Sequence, residues 1–357
     1  MRDNDKFVII RHLAPSRGMR YNVYNKKRGN VMNYRMLRGD SFNPFCNLAV
    51  EALLFETLGP EEIAFYLWQN QNTVVIGRHQ NAWQECRVKL LEDEGGLLAR
   101  RSTGGGAVYH DLGNLNFTFV APRAHYDVRR QLDVIRRAAA DFGIETAFTG
   151  RNDLVIAPDG AKFSGNAFKF SDAVGMHHGT VLVSVDMDKL GRYLVPGKDK
   201  LKAKGIESVR ARVCNLAELN PDITVPALAD ALERAFEAAY GPAERLAVND
   251  LDPDRLAALK EQFAAWDFRL GKALPFDATL SHRFDWGGVT LELALRHGVI
   301  ERASVWSDAM DEAVIARIAP ALEGLRYENA AIADALHGLK DPRMTDLAAW
   351  IALEELG

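Results

Sequence analysis

The chain has little cysteine, and none of it is paired. Cys46, Cys86 and Cys214 are the three thiols, and no C-x-x-C spacing joins them. That argues against a zinc cluster or a disulfide framework and fits a reducing cytosol, so a cytoplasmic location is expected. No apolar run approaches the ~20 residues that a bilayer-spanning helix needs, and no membrane partner is expected. The formal net charge is -4, which gives bulk electrostatics no reason to favour nucleic acid. Internal repeats and low-complexity tracts are missing as well. Two phosphate-binding motifs are absent where glycine is densest. G-x-G-x-x-G fails at Tyr109, and no Gly-Lys-Ser/Thr follows. A phosphate bound near these glycines must therefore be held on a sheet, between strands.

What is present suits two domains, or one large one. The 357 residues are 48% hydrophobic and 26% charged, ordinary values for a soluble globular protein with an ample core. Residues 1–40 are basic and rich in Asn, carry no apolar segment of a secretory signal, and read as an N-terminal extension. Within them Val8 to Ile10 and Val31 to Leu37 are candidate strands. The fold is expected to begin at Ser41, with Asn43-Pro44 capping a helix that carries Phe45, Leu48, Ala52 and Leu53 at helical spacing. Ile63 to Trp68 and Thr73 to Ile76 read as a β-hairpin around Gln69 to Asn72, and a short helix follows over Gln84 to Glu94. Helices are also expected near Tyr126 to Phe142, Met187 to Leu194 and Val225 to Tyr240. Strands are expected at Leu154 to Ala157, Lys162 to Lys169 and Met176 to Val185. Tight turns between them indicate an α+β fold with a mixed, largely antiparallel sheet over residues 41–245. Ala243 to Asp254 reads as a linker to a small α+β accessory domain at 255–357, which holds a helix, a hairpin (Phe284 to Leu295, Val299 to Ser307) and three further helices near Asp311 to Leu325, Asn329 to Leu339 and Met344 to Leu356.

One stretch organises the rest: Arg100-Arg101-Ser102-Thr103-Gly104-Gly105-Gly106-Ala107-Val108-Tyr109-His110-Asp111-Leu112-Gly113-Asn114. It reads as strand, glycine turn, short strand, turn, strand. Glycine lets backbone approach a ligand or adopt φ > 0. The two arginines add permanent forked charge, so exposed N–H groups beside guanidinium groups suit an anion. A glycine hairpin with solvated arginines is the alternative. Lys162 is a second anchor. It opens a strand after Pro158-Asp159-Gly160 and is followed by Phe163-Ser164-Gly165; it points into a pocket or lies as a turn lysine in water. Asp153, after Gly150-Arg151-Asn152, offers oxygen to Mg²⁺ or closes an Asx turn. His177 and His178 are neighbours on a strand and point to opposite faces, so at most one reaches a given site, and a shared zinc is rejected. Lys198, Lys200, Lys202 and Lys204 form a solvated loop or a cationic lid.

Together these motifs resemble the lipoate–protein ligase A family, within the biotin/lipoate ligase superfamily. The resemblance rests on Arg100 to Asp111, Gly150 to Leu154, Lys162 to Ala167 and His177 to Thr180, in order and spacing. It runs from about Ser41 to Gly241 and continues weakly through Arg283-Phe284-Asp285-Trp286-Gly287-Gly288-Val289. It implies a biotin/lipoate ligase-like catalytic domain that uses ATP and Mg²⁺ to convert lipoate or octanoate into an acyl-AMP with release of pyrophosphate. The acyl group then passes to a lysine of an acceptor. The acceptors implied are apo lipoyl domains of 2-oxoacid dehydrogenase acyltransferase subunits and the glycine cleavage H protein. A monomer is expected. Lys162 is the catalytic residue implied. Arg101, Gly105, Gly106, Ala107, Val108, Tyr109, Asn152, Asp153 and Lys162 would surround ATP or the adenylate. Arg101, Thr103, Gly104, His110, Lys162 and His178 would surround lipoate, and Asp153 would hold Mg²⁺. The Asp188 to Gly205 region would be the adenylate-binding loop. Val74, Ile76, Val108 or Phe168 are candidates for the apolar slot. Rival readings are an acyltransferase that lacks the activation step, with Cys46, Cys86 and Cys214 as candidate thioester sites, and a non-catalytic lipoate-binding protein.

Overall fold

Alternation along one strand separates the two faces of the main sheet. In Asn114-Leu115-Asn116-Phe117-Thr118-Phe119, small polar side chains alternate with large apolar ones, so one face is aromatic and the other polar. The structure, a computed structural model, describes residues 32–149, 153–157, 160–195, 213–270 and 277–354. In chain order, β1 (Asn33–Arg38) precedes α1 (Pro44–Thr57), β2 (Glu62–Trp68) and β3 (Thr73–Ile76). Short helices α2 (Ala82–Glu85) and α3 (Val88–Asp93) lead to β4 (Leu97–Arg100), β5 (Val108–His110) and β6 (Asn114–Pro122). After α4 (Val128–Ala140) come β7 (Thr146–Thr149), β8 (Asp153–Ile156), β9 (Lys162–Phe170) and β10 (Val174–Leu182). Next are α5 (Met187–Tyr193), α6 (Leu216–Leu219), α7 (Val225–Tyr240), β11 (Glu244–Leu246), α8 (Pro253–Ala264) and α9 (Trp266–Leu270). The last part holds β12 (Ala278–Phe284), β13 (Gly287–Arg296), β14 (Val299–Ser307) and helices α10 (Glu312–Ile315), α11 (Ile318–Leu322), α12 (Asn329–Gly338) and α13 (Pro342–Ile351).

The main sheet runs β11-β1-β2-β6-β10-β9-β8-β7. Its first two pairings are parallel and the rest antiparallel, which is the mixed α+β architecture expected. On the aromatic face, Phe65, Phe117 and Phe119 pack against α4 and α7; the Phe65 and Phe236 rings stack at 4.9 Å. The opposite face meets α1 and α8 through Leu48, Leu53 and Leu259. A small sheet, β4-β3-β5, lies over one end of that face. The antiparallel sheet β12-β13-β14 and α10–α13 enclose their own apolar core around Leu291, Ile318 and Leu347. Among the described residues no helix is long and apolar enough to cross a membrane.

Asn43 caps α1 as its sequence suggests, with its Oδ1 accepting from the amides of Phe45 (2.9 Å) and Cys46 (3.4 Å). Four expectations are corrected. β2 and β3 do not form a hairpin, because Asn47 Nδ2 binds Gln69 O (2.7 Å) and Asn70 Oδ1 (2.9 Å), and the chain turns into a separate sheet. There β3 is buried on both faces between β4 and β5. The fold begins ahead of Ser41: β1 is an internal strand with Met36 and Leu37 buried on opposite sides. Residues 243–254 are not a plain linker, since β11 lies within them and pairs with β1. The helix over 84–94 is broken at Cys86 and Arg87, where Arg87 N–H donates to Tyr193 O at 2.9 Å.

Phe119 is fully buried, in ring contact with Phe65, Phe117, His177 and Phe236. Phe119→Ala is expected to lose about 3–5 kcal/mol of stability in urea unfolding. A loss below about 1 kcal/mol would show that this face is not the core.

Candidate functional site

Strand register assembles the floor of the site from residues distant in sequence. Trp68 of β2 lies opposite Asn116 of β6, which lies opposite Thr180 of β10. Two residues along, Tyr66, Thr118, His178 and Ala167 of β9 form the next row. Partners in register share a face, so Asn116, Thr118, His178 and Thr180 all present the polar side of the sheet. Val75, Val108 and His110 of the small sheet face it across a cavity of about 280 Å³. Arg101, Gly105, Gly106 and Ala107 line one wall, and Lys162 with Gly165 lines another. Asp308 and Met310, just beyond β14, also line it.

The glycine turn is shaped from beneath by Arg101. Its Nη2 donates to Gly104 O (2.7 Å) and Gly106 O (2.8 Å), its Nη1 to Val75 O (3.3 Å), and its Nε to Thr103 Oγ1 (3.0 Å) and Gly104 O (3.1 Å). Arg100 likewise spends its donors on carbonyls, with Nη1 on Gly77 O, Arg78 O and Gln80 O, and Nε and Nη2 on Arg269 O. Burial pulls both guanidinium groups down to about 10, with Arg78 adding to the effect on Arg100. Both remain charged at neutral pH, solvated by peptide dipoles and not by water, so the turn sits in a positive field. Gly105 has φ +89°, a left-handed conformation that favours glycine. A Cβ at Gly77 would lie 2.1 Å from Gly105 O, and one at Gly104 would lie 2.3 Å from Ala309 O. Gly105 N–H donates to Ala309 O at 3.0 Å, so the segment after β14 rests directly on the turn. Gly288 N–H donates to Asp308 Oδ1 (2.7 Å) and Ser307 Oγ to Gly288 O (2.7 Å). The Trp-Gly-Gly hairpin thus supports the residues that reach the cavity.

Lys162 opens β9 where the β8–β9 ladder shifts register between Leu154 and Val155. Its carbonyl accepts from Cys214 N–H at 2.9 Å. The Nζ lies 2.7 Å from Asp153 Oδ1, and both side chains are about a third exposed (37% and 34%). A Cβ on Gly165 would lie 3.0 Å from Nζ, so bare backbone leaves the ammonium its path. An ion pair this exposed contributes about 0–1 kcal/mol, little enough for an anion in the cavity to draw the ammonium away.

Buried imidazoles complete the interior. His178 Nδ1 meets Glu51 Oε1 at 2.8 Å and its Nε2 meets Thr103 Oγ1 at 2.9 Å. His110 Nδ1 accepts from Asn70 Nδ2 at 3.1 Å. Burial, then Arg101 and His178, lowers His110 to about 3 and keeps it neutral. His177 faces the other side, among Phe117, Phe119 and Phe168, and burial likewise lowers it to about 3. The parity expected for this histidine pair is therefore what the sheet shows.

Of the residues singled out in the sequence, Arg101, Gly105, Gly106, Ala107, Val108, His110, Lys162 and His178 line one cavity. Thr103 lies behind the wall, bound to Arg101 and His178, and Gly104 lies under Ala309 and Met310. Asp153 stands beside Lys162. The Tyr109 ring points away, to Tyr193 (5.5 Å) and Asn72, while only its neighbours face the cavity. Val74 and Ile76 pack on that outer side too; Val75 takes their place because strand alternation turns it inward. Phe168 lies on the aromatic face. Asn152, Pro158-Asp159, Lys198 to Lys204 and the candidate strands at Val8 to Ile10 lie outside the described residues. Glu51, Trp68, Asn116, Thr118, Asp308 and Met310 were not foreseen. Two signals could have found some of them: an acid within the apolar run Leu48-Ala49-Val50-Glu51-Ala52-Leu53, and polar residues alternating with phenylalanine in β6.

The cavity lies between a mixed sheet and a glycine turn, with Lys162 and Arg101 among its lining residues and a second small sheet completing one wall, an arrangement whose charge suits an anion. Residues 43–237 match the lipoyl protein ligase A/B catalytic domain, and residues 273–352 match the bacterial lipoate protein ligase C-terminus. The chain belongs to the lipoate–protein ligase family. Among solved structures, P. falciparum LipL1 in complex with lipoate is 29% identical, covering 90% of this chain and 100% of that one with a TM-score of 0.79. The bipartite lipoate protein ligase of an archaeal lipoylation system, described alongside its E2 lipoyl domain from Thermoplasma acidophilum, is 24% identical (69% and 100% covered, TM-score 0.60). Lipoate-protein ligase A bound with ATP is 22% identical (68% and 99% covered, TM-score 0.56). The last two likenesses show the fold.

Gly77→Ala is expected to displace the glycine turn and lose about 2 kcal/mol or more in thermal unfolding, because the clash is backbone against backbone. An unchanged Tm would contradict that packing. Burial also lowers His79 to about 4, with Arg78 and Arg100 adding to it. Below pH ~6.5 the unfolded chain binds protons that His79, His110 and His177 refuse when folded. Stability should therefore fall as pH drops from 6.5 toward 4, by up to about 1.4 kcal/mol per pH unit for each histidine. Urea midpoints at pH 7.5 and 5.5 measure this, and a midpoint that does not fall would mean the rings are charged in the fold.

Proposed function

We propose that the protein activates lipoate, or octanoate, with ATP, releasing pyrophosphate and forming lipoyl-AMP, and then passes the lipoyl group to a lysine of an acceptor lipoyl domain. The observation that carries this reading is one cavity lined together by Lys162, Arg101 and the glycine turn. A carboxylate attacking an α-phosphate brings two anions together, so the transition state needs positioned cations more than a base. Lys162 is a compact charge that can leave Asp153 and sit between carboxylate and phosphate. In transfer, the same ammonium polarises the anhydride carbonyl. The acceptor amine forms the amide bond, AMP departs with the other oxygen, and the amine's proton passes to solvent. The site residues proposed are those of the cavity wall with Thr103, Gly104, Tyr109, Asn152 and Asp153.

Asp153 is an oxygen donor suited to Mg²⁺, and among the described residues no group of three His, Cys, Asp or Glu gathers to hold a metal alone. One carboxylate plus phosphate oxygens is a usual Mg²⁺ environment, so the donors fit a metal that arrives with the nucleotide and neutralises phosphate charge. The lipoate and the ATP bound in solved relatives, and the E2 lipoyl domain named beside a third, agree with substrates of these kinds. Acyltransferase E2 subunits and the glycine cleavage H protein are the acceptors we propose, in the cytoplasm. Transfer through a cysteine thioester gains no support. None of Cys46, Cys86 and Cys214 lines the cavity, and burial pushes Cys86 up to about 12.

One incubation with ATP, Mg²⁺, lipoate and an apo lipoyl domain tests this, following pyrophosphate and acceptor mass. Pyrophosphate release and a lipoyl mass gain are expected; mass gain without ATP would favour the transferase, and tight lipoate binding without turnover a non-catalytic binder. Lys162→Ala should keep the fold and lose about 10²–10³ in the rate of lipoyl-AMP formation. Normal pyrophosphate release by that variant would remove Lys162 from the chemistry.

A further inference from the structure

Glu51 is 3% exposed, in the middle of the apolar helix α1, and its charge lies in none of the walls described above. One of its oxygens, Oε1, ends two strings of hydrogen bonds. The first runs from Arg101 Nε to Thr103 Oγ1 (3.0 Å), on to His178 Nε2 (2.9 Å), and from His178 Nδ1 to Glu51 Oε1 (2.8 Å). The second runs from Trp68 Nε1 to Thr118 Oγ1 (3.0 Å), and from Thr118 Oγ1 to the same Glu51 oxygen. Arg101, His178 and Trp68 line the cavity from different elements, while Thr103 and Thr118 are fully buried.

The direction of each string follows from its ends and from the fully buried threonine between them, whose hydroxyl proton finds its acceptor in the next group along. A guanidinium N–H only donates and a carboxylate only accepts. Thr103 Oγ1 therefore accepts from Arg101 and gives its own proton to a bare His178 Nε2, and the imidazole carries its proton on Nδ1, toward Glu51. Thr118 Oγ1 likewise accepts from the indole and donates to Glu51. Glutamine at 51 removes the charge that both strings end on: its amide nitrogen in the place of Oε1 would set a donor against two donors, and its oxygen there would accept only as a neutral group.

We propose that Glu51 is a positioning residue for the acyl cavity: its one oxygen fixes the His178 tautomer and orients the Arg101 guanidinium on one wall and the Trp68 indole on another. This rests on the ligase reading, in which the cavity takes the acyl chain. Glu51 touches neither the cavity nor the reacting atoms. It acts by holding the walls at one separation before the chain arrives, so that binding does not have to order them.

The test compares Glu51→Gln, Thr103→Val and Thr118→Val with the parent protein, using lipoate as the probe. The two valine changes are nearly isosteric and keep the test open if Glu51→Gln fails to fold. In pyrophosphate release, the KM for lipoate is expected to rise about tenfold or more for Glu51→Gln, with kcat falling less than KM rises. Each valine variant should show part of the same rise. Glu51→Gln combined with Thr103→Val should be no worse than Glu51→Gln alone by more than about twofold, since both cut one string. Thr103→Ser should recover most of what Thr103→Val loses. A lower Tm with an unchanged KM, or effects of the two changes that multiply in full, would overturn the proposal. Nitrogen-15 NMR of the His178 ring gives a readout that does not depend on turnover, and Nδ1–H with a bare Nε2 is expected. If the parent protein releases no pyrophosphate, the ligase reading falls while the ring spectrum still decides the string; a bare Nδ1 would refute it.

Discussion

The site depends on a guanidinium group buried under the glycine turn. Arg101 spends its N–H groups on the carbonyls of Val75, Gly104 and Gly106, and those bonds turn the peptide planes of the loop. A carbonyl held inward leaves the amides around it to face the other way. The arginine therefore acts twice, through its charge and by setting which side of the backbone meets the cavity. A lysine at 101 would keep the first property and lose the second, because a single ammonium cannot span three carbonyls in a fixed plane.

That turn is also where the segment after β14 packs against the part of the chain that carries the main sheet. Gly77 and Gly104 leave no room for a methyl group between β3, the turn and the segment at Ala309. The C-terminal sheet reaches the cavity by backbone contact: Gly105 to Ala309, and Ser307 to His79 (2.6 Å). His79 Nε2 adds a bond to Glu312 O at 3.1 Å. Such contacts read main chain more than side chain, so they fix geometry without demanding a particular partner residue. The exceptions are Asp308, which the Gly288 amide holds, and Met310, which lies against Gly104 and Gly105.

Sequence made the periodic parts of this arrangement legible. The capped helix at Asn43, the amphipathic run of Val225–Tyr240, the strand–turn–strand around Gly105 and the opposite facing of His177 and His178 all follow from local spacing. Less legible was whatever depends on which strand lies beside which. Thr73 to Ile76 has the composition of a hairpin arm, yet long-range pairing with β4 and β5 takes it into another sheet. Val74 and Val75 are indistinguishable by type, and only register decides which one meets the cavity. Glu51 and Asp308 are one acid among many until α1 and β14 are placed. The motif around Lys162 marked the right strand, but its partner Asp153 was readable only as a carboxylate of undecided use.

The pairing of β1 with both β2 and β11 has a consequence for how the chain is made. Arg35 lies in register with Glu244 and with Ala64, so one side of β1 is satisfied early in synthesis and the other waits for some two hundred further residues. Until then an internal strand presents an open row of amide and carbonyl groups, the kind of edge that recruits other chains. Ribosome-bound or truncated forms ending before residue 244 would carry that edge exposed. The last strand to emerge from this half of the molecule acts as its stopper against self-association.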